Sequence, residues 1–424
     1  MSNNFDSNFT RQLAKVILKS FDTNRVLSKN VDTQLLDGRY SKSDTGEYVD
    51  FKRPTDYRSV RTATGDVSGE TKSDIITGKA FGQVQNYFTV FVDYDEADEA
   101  IKMAQKEELL DMPMMNRIVV DFELDFAAFM LKHTGLLAGT VGTPATTWDH
   151  VAEAGAMLQA CGVPMDSPWC YAVNPFTQRK LASNQRSLGV QPEVGSANSK
   201  AVIAENFAGM RVLTATTLAS YTTGTGADRA GTLSANPTVT YVAHKDTMQQ
   251  TLAVTAFQAN LVVAAGETVT ITGRPRLNLS TRQQVVDETG AVVLWSGTVV
   301  ETVTLNGSGA GNLVVTGPAI YEATGQYNTV ASAPISGDVI TLGGAASTLI
   351  QPNLFWHKQA FSVGSVPIKK LHSTDTLATT KDGLQLRVSK GVGFLENQQK
   401  VRIDFRPAYA CLNPFFAGKG FGRA

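Results

Sequence analysis

Residues 52–79 read KRPTDYRSVRTATGDVSGETKSDIITGK, and this stretch decides how the rest of the chain is interpreted. About a third of it is charged, and its only sizeable aliphatic residues are Val60, Val67, Ile75 and Ile76. Ordering one residue costs about 1 to 2 kcal/mol, whereas burying one aliphatic side chain stabilises by only about 1.5 to 3 kcal/mol. We therefore expect this segment either to be disordered or to be held by something outside the subunit, as functional loops often are.

The residues on both sides of this loop have the pattern of β-strands. Val49 and Phe51 alternate with polar neighbours before the loop, and apolar and polar residues alternate again over 88–92. A period of two residues is typical of a half-buried strand. We predict that these runs are the two arms of one long hairpin over residues 38–92.

A long amphipathic helix is predicted over residues 113–133. Pro113 suits a first helical turn, and Gly135 ends the pattern. One face carries Ile118, Phe122, Phe126, Phe129, Met130 and His133. The other face carries Arg117, Asp121, Asp125 and Lys132, which we interpret as a solvated or interface face and not as a pair of catalytic carboxylates. Such a helix spans about 30 Å of a domain.

Two shorter helices are predicted before it. Asp93 and Glu96 make a capping box that would open a helix towards Leu110. Residues 9–21 form an amphipathic arm, which either packs on its own domain or docks on a neighbouring molecule.

The composition changes between residues 220 and 350. About a tenth of this stretch is charged, against more than a fifth elsewhere, and threonine, valine and glycine are abundant. Short alternating runs are separated by turn residues, at 238–242, 251–255, 268–272, 299–305 and 313–316. This pattern predicts an all-β barrel or sandwich inserted as a separate domain, whose two ends lie close together.

The flanking regions indicate a mixed α/β domain that the β segment interrupts. Helices are predicted over 148–161 and after Asn174-Pro175, with a strand near 210–213. Further strands are predicted at 385–388 and 401–405. The chain is therefore an α+β protein with an all-β insertion.

Neither the composition nor the motifs point to catalysis. The formal net charge of -1 excludes a strongly basic nucleic-acid reader, and the three cysteines have no C-x-x-C spacing. The five histidines are scattered, the glycine-rich pieces lie between strands, and no phosphate-loop, nucleophile-elbow or H-E-x-x-H motif occurs. We predict no enzymatic activity, no cofactor, no metal site and no membrane segment, and free thiols in a reducing cytoplasm.

The order of these parts resembles the major capsid proteins of tailed phages, and in particular the coat proteins of short-tailed phages of the Lederbergvirus type. The blocks that carry the resemblance run in family order: Val49-Asp50-Phe51-Lys52-Arg53-Pro54, Gly65-Asp66-Val67-Ser68-Gly69, Thr77-Gly78-Lys79-Ala80, Glu99-Ala100-Ile101-Lys102, Pro352-Asn353-Leu354-Phe355, Lys370-Leu371-His372-Ser373 and Pro407-Ala408-Tyr409 through Asn413-Pro414.

This resemblance implies the Hong Kong 97-like (Johnson) capsid fold. Its parts would be an N-terminal arm (1–37), an extended loop (38–92), a peripheral domain with the spine helix (93–139), the first part of an axial domain (140–219), an inserted β-barrel (220–350), and the axial remainder with C-terminal peripheral strands (351–424). The resemblance also implies pentamers and hexamers of the chain itself, a scaffolding protein during assembly, a portal protein at one vertex, packaged double-stranded DNA bound non-specifically, and assembly in the bacterial host cytoplasm.

Neighbouring copies would then supply the burial that the loop lacks, through interfaces of about 2,000 to 5,000 Å². The candidates for contact between subunits are Arg53, Arg58, Arg61, Asp66, Glu70, Lys72, Asp74 and Lys79 in the loop, and His244, Lys245 and Asp246 at the expected tip of a contact loop near 237–250. Two alternatives stay open: an encapsulin-like compartment shell, and a secreted β-rich adhesin or carbohydrate-binding protein.

Overall fold

The structure of the protein is a computed structural model. It describes residues 18, 21, 24–33, 35, 48–95, 112–187, 200, 203, 206–323, 325–372, 375–380, 382–393 and 398–423. Most of the predicted N-terminal arm, and the predicted helix beyond residue 95, lie outside the described residues.

The described helices are α1 (Met112–Lys132), α2 (Trp148–Ala160), α3 (Pro175–Ser187) and the short α4 (Tyr241–His244), with 3-10 turns at Ser28–Asn30, Lys358–Ala360 and Pro414–Phe416. The first half of the described strands is β1 (Tyr48–Lys52), β2 (Lys79–Val84), β3 (Phe88–Asp95), β4 (Leu136–Ala138), β5 (Cys170–Val173), β6 (Asn206–Phe207), β7 (Met210–Thr214), β8 (Tyr221–Thr222), β9 (Ala230–Leu233), β10 (Gln249–Thr255), β11 (Val262–Val263) and β12 (Thr268–Pro275). The second half is β13 (Leu294–Val299), β14 (Val303–Thr304), β15 (Gly311–Thr316), β16 (Val339–Leu342), β17 (Leu349–Ile350), β18 (Asn353–Trp356), β19 (Phe361–Ser365), β20 (Thr376–Thr379), β21 (Gln385–Gly393), β22 (Gln398–Phe405), β23 (Pro407–Cys411) and β24 (Ala417–Gly420).

The chain divides into two compact units. The first contains residues 1–49, 82–127 and 361–410, and the second contains residues 50–81, 128–360 and 411–424. Each unit is therefore assembled from segments that are far apart in the sequence.

The first unit is built on antiparallel strands and on the first part of helix α1. One sheet has the order β20-β21-β22-β3, and in a second sheet β2 pairs with β23, with Gly82 opposite Ala410. The alternating pattern over 88–92 does form a strand, but β3 pairs with β22, with Val92 opposite Val401. The prediction that this run is the second arm of a hairpin with Val49 was therefore wrong: the sheet order makes β2 the neighbour of β1. Alternation marks a half-buried strand, but it does not identify the strand's partner.

Aromatic residues on one face of helix α1 form the core of the first unit. The rings of Phe122 and Phe405 meet edge to face at 5.0 Å, and the ring of Phe126 lies 5.3 Å from that of Tyr409. The predicted apolar face of this helix is thus present. The predicted capping box is not, because Asp93 lies within strand β3.

One buried residue of helix α1 differs from the amphipathic pattern. The carboxylate of Glu123 is buried and accepts hydrogen bonds from the backbone N–H groups of Leu27, at 2.7 Å, and Ser28, at 3.1 Å. The carboxylate thereby satisfies backbone N–H groups at the start of the 3-10 turn Ser28–Asn30. A buried carboxylate is tolerated only with such partners.

The second unit contains a six-stranded sheet with the order β4-β24-β18-β5-β7-β6. β5 and β7 are parallel, with Tyr171 opposite Val212, and helix α2 packs against the sheet through Val151, Ala154 and Leu158. A capping box at Thr147 and His150 begins this helix. In the described part of the chain, none of the helices has the length and apolarity that crossing a membrane requires.

The second unit also contains a closed six-stranded barrel with the order β10-β15-β13-β12-β16-β9. Its interior is apolar and includes the fully buried ring of Trp295, whose Nε1 donates to the carbonyl oxygen of Gly317 at 2.9 Å. β8 pairs with β17, with Tyr221 opposite Ile350. The two ends of residues 220–350 therefore lie next to each other. The predicted strand at 238–242 was wrong, because Tyr241 begins helix α4.

A buried lysine joins the barrel to the mixed sheet within the second unit. The ammonium of Lys419, on β24, donates to the carbonyl oxygen of Gly266 at 2.6 Å and to the Thr268 hydroxyl at 3.4 Å. Burial lowers the pKa of Lys419 to about 7, and the nearby carboxylate of Glu267 opposes that shift. Glu267 is itself buried and pairs with Arg229.

Candidate functional site

The loop between β1 and β2 is the largest exposed, charged segment that the sequence singled out. It leaves the strand pair at Arg53, whose backbone N–H donates to the carbonyl oxygen of Gly78 at 2.9 Å. Other residues of the chain hold the two ends of this loop, whereas its middle is exposed to solvent. We call residues 53–56 and 74–79 the legs of the loop, and residues 57–73 its tip.

Arg53 anchors the first leg and is only 9% exposed. Its Nε donates to the carbonyl oxygen of Lys79 at 3.0 Å, and its terminal nitrogens reach the carbonyl oxygens of Leu412 and Cys411. Burial lowers the pKa of the guanidinium, and the nearby Cys411 thiol opposes that shift. Its hydrogen-bonding groups thus serve its own chain.

Two neighbouring side chains in the segment between β15 and β16 hold both legs. The amide nitrogen of Gln326 donates to the carbonyl oxygens of Asp56 and, at 2.9 Å, Asp74. The hydroxyl of Tyr327 donates to the carbonyl oxygen of Ile76 at 3.2 Å and lies 3.3 Å from the backbone nitrogen of Asp56. The carboxylate of Asp56 also pairs with the guanidinium of Arg282.

The second leg meets the segment around helix α4. The Lys245 ammonium donates to the carbonyl oxygen of Thr77 at 3.2 Å, and the Lys79 backbone N–H donates to the Asp246 carboxylate at 3.1 Å. The Lys79 ammonium pairs with Asp50 at 2.8 Å, and this hydrogen bond raises its pKa.

The sequence predicted that His244 lies at an exposed loop tip. In the structure, His244 is buried. Its Nδ1 and Nε2 each lie 2.7 Å from a backbone carbonyl oxygen, that of Gln249 and that of Thr238. The reason is helix α4, which ends at His244 and turns this side chain inwards, whereas the tip of an extended loop would have exposed it.

The tip has no comparable support. Its charged side chains are all exposed, namely those of Arg58, Arg61, Asp66, Glu70 and Lys72. Among its aliphatic residues, Val67 is 54% exposed. The hydrogen bonds described within it are local, such as that from the Ser68 backbone N–H to the Asp66 carboxylate at 2.9 Å, which lowers the pKa of Asp66.

The expectation that the whole segment 52–79 is either disordered or held by something outside the subunit was therefore wrong for the legs. The sequence did not indicate the residues that hold them, Gln326, Tyr327 and Arg282. These lie more than two hundred positions from the loop in the sequence, and a polar or aromatic residue between two strands has no signature of a long-range partner. For the tip, the expectation stays a prediction.

Among the described residues, a polar cluster that includes a serine and a carboxylate surrounds His357. Both Ser167 Oγ, at 2.8 Å, and Asp166 Oδ1, at 2.7 Å, approach the same ring nitrogen, Nε2. Nδ1 accepts a hydrogen bond from the backbone N–H of Gln359 at 3.2 Å. A nucleophile–base–acid relay needs the serine and the carboxylate on opposite ring nitrogens. Within the ranges that the structure describes, no group of three or more histidine, cysteine or carboxylate side chains could hold a metal ion.

The chain is similar to known proteins along its length. A family model described as "P22 coat protein - gene protein 5" matches residues 1–422. The major capsid protein of Acyrthosiphon pisum secondary endosymbiont phage 1 is 34% identical over 426 residues, covering 100% of both chains.

Solved structures similar to the chain include one from Mycobacterium phage Che8, at a TM-score of 0.48 and 10% identity, with 93% of this chain and 90% of that chain covered. Another is the capsid of Ralstonia phage GP4, at a TM-score of 0.43 and 11% identity, with 95% and 91% covered.

An α+β subunit with an exposed charged loop, matched along its whole length by a phage capsid protein, belongs to the class of phage major capsid proteins. Such proteins associate with copies of themselves and form the head shell, so the chain is a component of the virion. More particularly, the chain belongs to the P22 coat protein family. Neither the compartment shell nor the secreted adhesin is favoured by these matches.

Proposed function

We propose that the chain is the major capsid protein of a short-tailed phage of the Lederbergvirus type, with the Hong Kong 97-like fold. Copies assemble as pentamers and hexamers into an icosahedral shell around double-stranded DNA. The role is structural, and no catalytic step belongs to it. Its parts are the six regions 1–37, 38–92, 93–139, 140–219, 220–350 and 351–424, as the family resemblance implies.

The observation that carries this proposal is the contrast between the tip of the loop and its legs. Residues 57–73 expose charges of both signs and leave Tyr57 at 57% exposure and Val67 at 54%. A segment without burial of its own gains order when a second molecule covers it, and obligate interfaces are large enough to do so. A second copy of this chain is the partner that a shell supplies.

The charges on the tip suit a contact that must find one register. Arg58, Arg61 and Lys72 are balanced by Asp66 and Glu70 in the tip and by Asp74, the first residue of the second leg. Mixed charges set orientation and suppress wrong pairings more than they add affinity. We propose these six as contacts between subunits. Arg53, Lys79, His244, Lys245 and Asp246 have partners in their own chain, so we propose that they support the contact indirectly.

Further partners follow from the same function. We propose a scaffolding protein during assembly in the bacterial host cytoplasm, a portal protein at one vertex, and packaged DNA in non-specific contact with the shell. The net charge of -1 supports the last point, because a strongly basic wall would bind the DNA tightly.

The test replaces residues 57–73 with a short Gly-Ser linker and compares the purified variant with the unaltered chain by electron microscopy. We expect a folded subunit that no longer forms closed shells. A second variant carries Arg58→Gln, Arg61→Gln and Lys72→Gln. Its matched control carries Lys358→Gln, Lys369→Gln and Lys370→Gln, which also neutralise three exposed cations. Normal shells from the linker variant, or equal loss of shells in the triple variant and its control, would contradict the proposed role of the tip.

A further inference from the structure

We propose that the inserted domain acts as a clamp on the extended loop of its own subunit, so that the loop is presented for assembly only when the barrel is folded. The clamp consists of Tyr241, Lys245, Asp246, Gln326 and Tyr327. This inference rests on the proposed function of the tip, but it concerns the subunit before it meets a neighbour.

The clamp connects the two legs to each other as well as to the barrel domain. Gln326 bonds to a carbonyl oxygen of each leg, at Asp56 and at Asp74. Tyr327 does the same through its hydroxyl, which contacts Asp56 and Ile76. Four backbone groups of the legs are therefore satisfied by two adjacent side chains. Buried or half-buried backbone groups without such partners would each be costly, so the legs are held where the clamp is formed.

The clamp residues around helix α4 (Tyr241, Lys245 and Asp246) pack against those between β15 and β16 (Gln326 and Tyr327) through two tyrosine rings. The rings of Tyr241 and Tyr327 are stacked, with centroids 3.8 Å apart and planes 7° from parallel. They belong to a cluster that includes Met248 and Ile320, with Ile76 of the second leg packed against it. The packing around Tyr327 is therefore supplied largely by the inserted domain, with contributions from Phe415 and from Ile76 of the second leg.

Gly78 marks the closest approach of the loop to the clamp. A β-carbon at this position would lie 2.6 Å from the carbonyl oxygen of Lys245 and 2.9 Å from the hydroxyl of Tyr241. The first of these atoms belongs to the backbone and cannot rotate away. Only glycine therefore allows the second leg to lie this close. At Gly69, in the tip, a β-carbon would meet nothing within 4 Å.

The clamp reduces the length of loop that must become ordered when subunits assemble. With both legs fixed within the subunit, only the tip loses its freedom when a neighbour binds it, and prior ordering of a binding segment increases affinity. A subunit whose barrel is unfolded has no clamp, and its loop cannot be presented in this way. The ability of the loop to bind a neighbouring subunit therefore depends on the folding of the inserted domain.

The experiment compares Gly78→Ala with its matched control, Gly69→Ala, in the full-length, unassembled subunit. Amide hydrogen exchange is followed by mass spectrometry for peptides of the legs, the tip and the barrel. In the unaltered chain, we expect leg amides to exchange at least tenfold more slowly than tip amides. Gly78→Ala should bring the legs to the rate of the tip, and Gly69→Ala should change neither. Legs that exchange as fast as the tip in the unaltered subunit would overturn the clamp, whether or not that subunit forms shells.

A second variant tests the clamp if Gly78→Ala also increases hydrogen exchange of the barrel amides. Tyr327→Phe keeps the ring that stacks on Tyr241 and removes only the hydroxyl that contacts both legs. We expect leg exchange to become several-fold faster in this variant while barrel exchange stays unchanged. Unchanged leg exchange in Tyr327→Phe would count against the clamp.

Discussion

Replacing Lys419 with methionine should make the subunit more stable at neutral and mildly acidic pH and less stable at high pH. The ammonium of Lys419 is fully buried between the barrel and the mixed sheet, where it donates to Gly266 and Thr268. Methionine has a similar length and carries no charge. The variant therefore removes a titratable group without opening a large cavity.

The size of the effect follows from the pKa. Burial lowers the pKa of Lys419 from 10.5 to about 7. At about 1.36 kcal/mol for each pH unit, this corresponds to about 5 kcal/mol, which is the cost of keeping the charged form buried below pH 7. The substitution also leaves the Gly266 carbonyl oxygen without its donor, which costs about 1 to 3 kcal/mol. The net gain in the free energy of unfolding at pH 6 is therefore about 2 to 4 kcal/mol.

The sign changes with pH. Between pH 7 and 10.5 the unfolded chain binds a proton at Lys419 that the folded chain lacks, so the stability of the unaltered subunit rises with pH in this window. Above pH 10.5, Lys419 is neutral in both the folded and the unfolded chain, so the unaltered subunit has no penalty for a buried charge. The unaltered subunit and the Lys419→Met variant then differ in stability only by the hydrogen bonds that the variant lacks. The variant should then be less stable by about 1 to 3 kcal/mol.

Urea unfolding of the unassembled subunit at several values from pH 6 to about 11, followed by tryptophan fluorescence, measures this difference. The exposed Lys358, in the same compact unit, provides the matched control as Lys358→Met. We expect the pH dependence of the control to match that of the unaltered chain. Parallel pH profiles for Lys419→Met and the unaltered chain would show that the buried Lys419 does not titrate with a lowered pKa.

Two further predictions concern separate parts of the chain. Residues 220–350 expressed alone should fold as a monomeric β domain, because the barrel has its own apolar core and paired ends; an amide NMR spectrum without dispersion would contradict this. Glu123→Ala should destabilise the first unit by about 3 kcal/mol or more, since it removes a charged acceptor from the backbone N–H groups of Leu27 and Ser28. The exposed Leu124→Ala is its control, and equal urea midpoints for the two variants would show that the buried carboxylate has no such role.

The sequence predicted the elements whose pattern is local. Helix α1 lies within a residue of the predicted span, and its buried face carries Ile118, Phe122 and Phe126 as expected. The drop in charge after residue 220 coincides with the strands of the barrel. These features depend on periodicity and composition, which neighbouring residues determine together.

Features that depend on distant partners were missed. The strand at Phe88–Asp95 was placed in the wrong sheet, because its alternation suits any half-buried neighbour. The legs of the loop were expected to lack support, because Gln326 and Tyr327 have no sequence feature that links them to Asp56 or Ile76. His244 was expected to be exposed, whereas a helical turn buries it. Tertiary contacts decided each of these outcomes.

The shell assignment depends most directly on what covers the tip of the loop. A cryo-electron microscopy map of assembled particles, at a resolution that shows side chains, would locate residues 57–73. We expect them to lie against a neighbouring copy, with Arg58, Arg61 or Lys72 opposite its carboxylates, while the legs keep their contacts with Gln326 and Tyr327 of their own chain. A tip that lies free in solvent, or that folds back on its own subunit within a closed shell, would contradict this expectation.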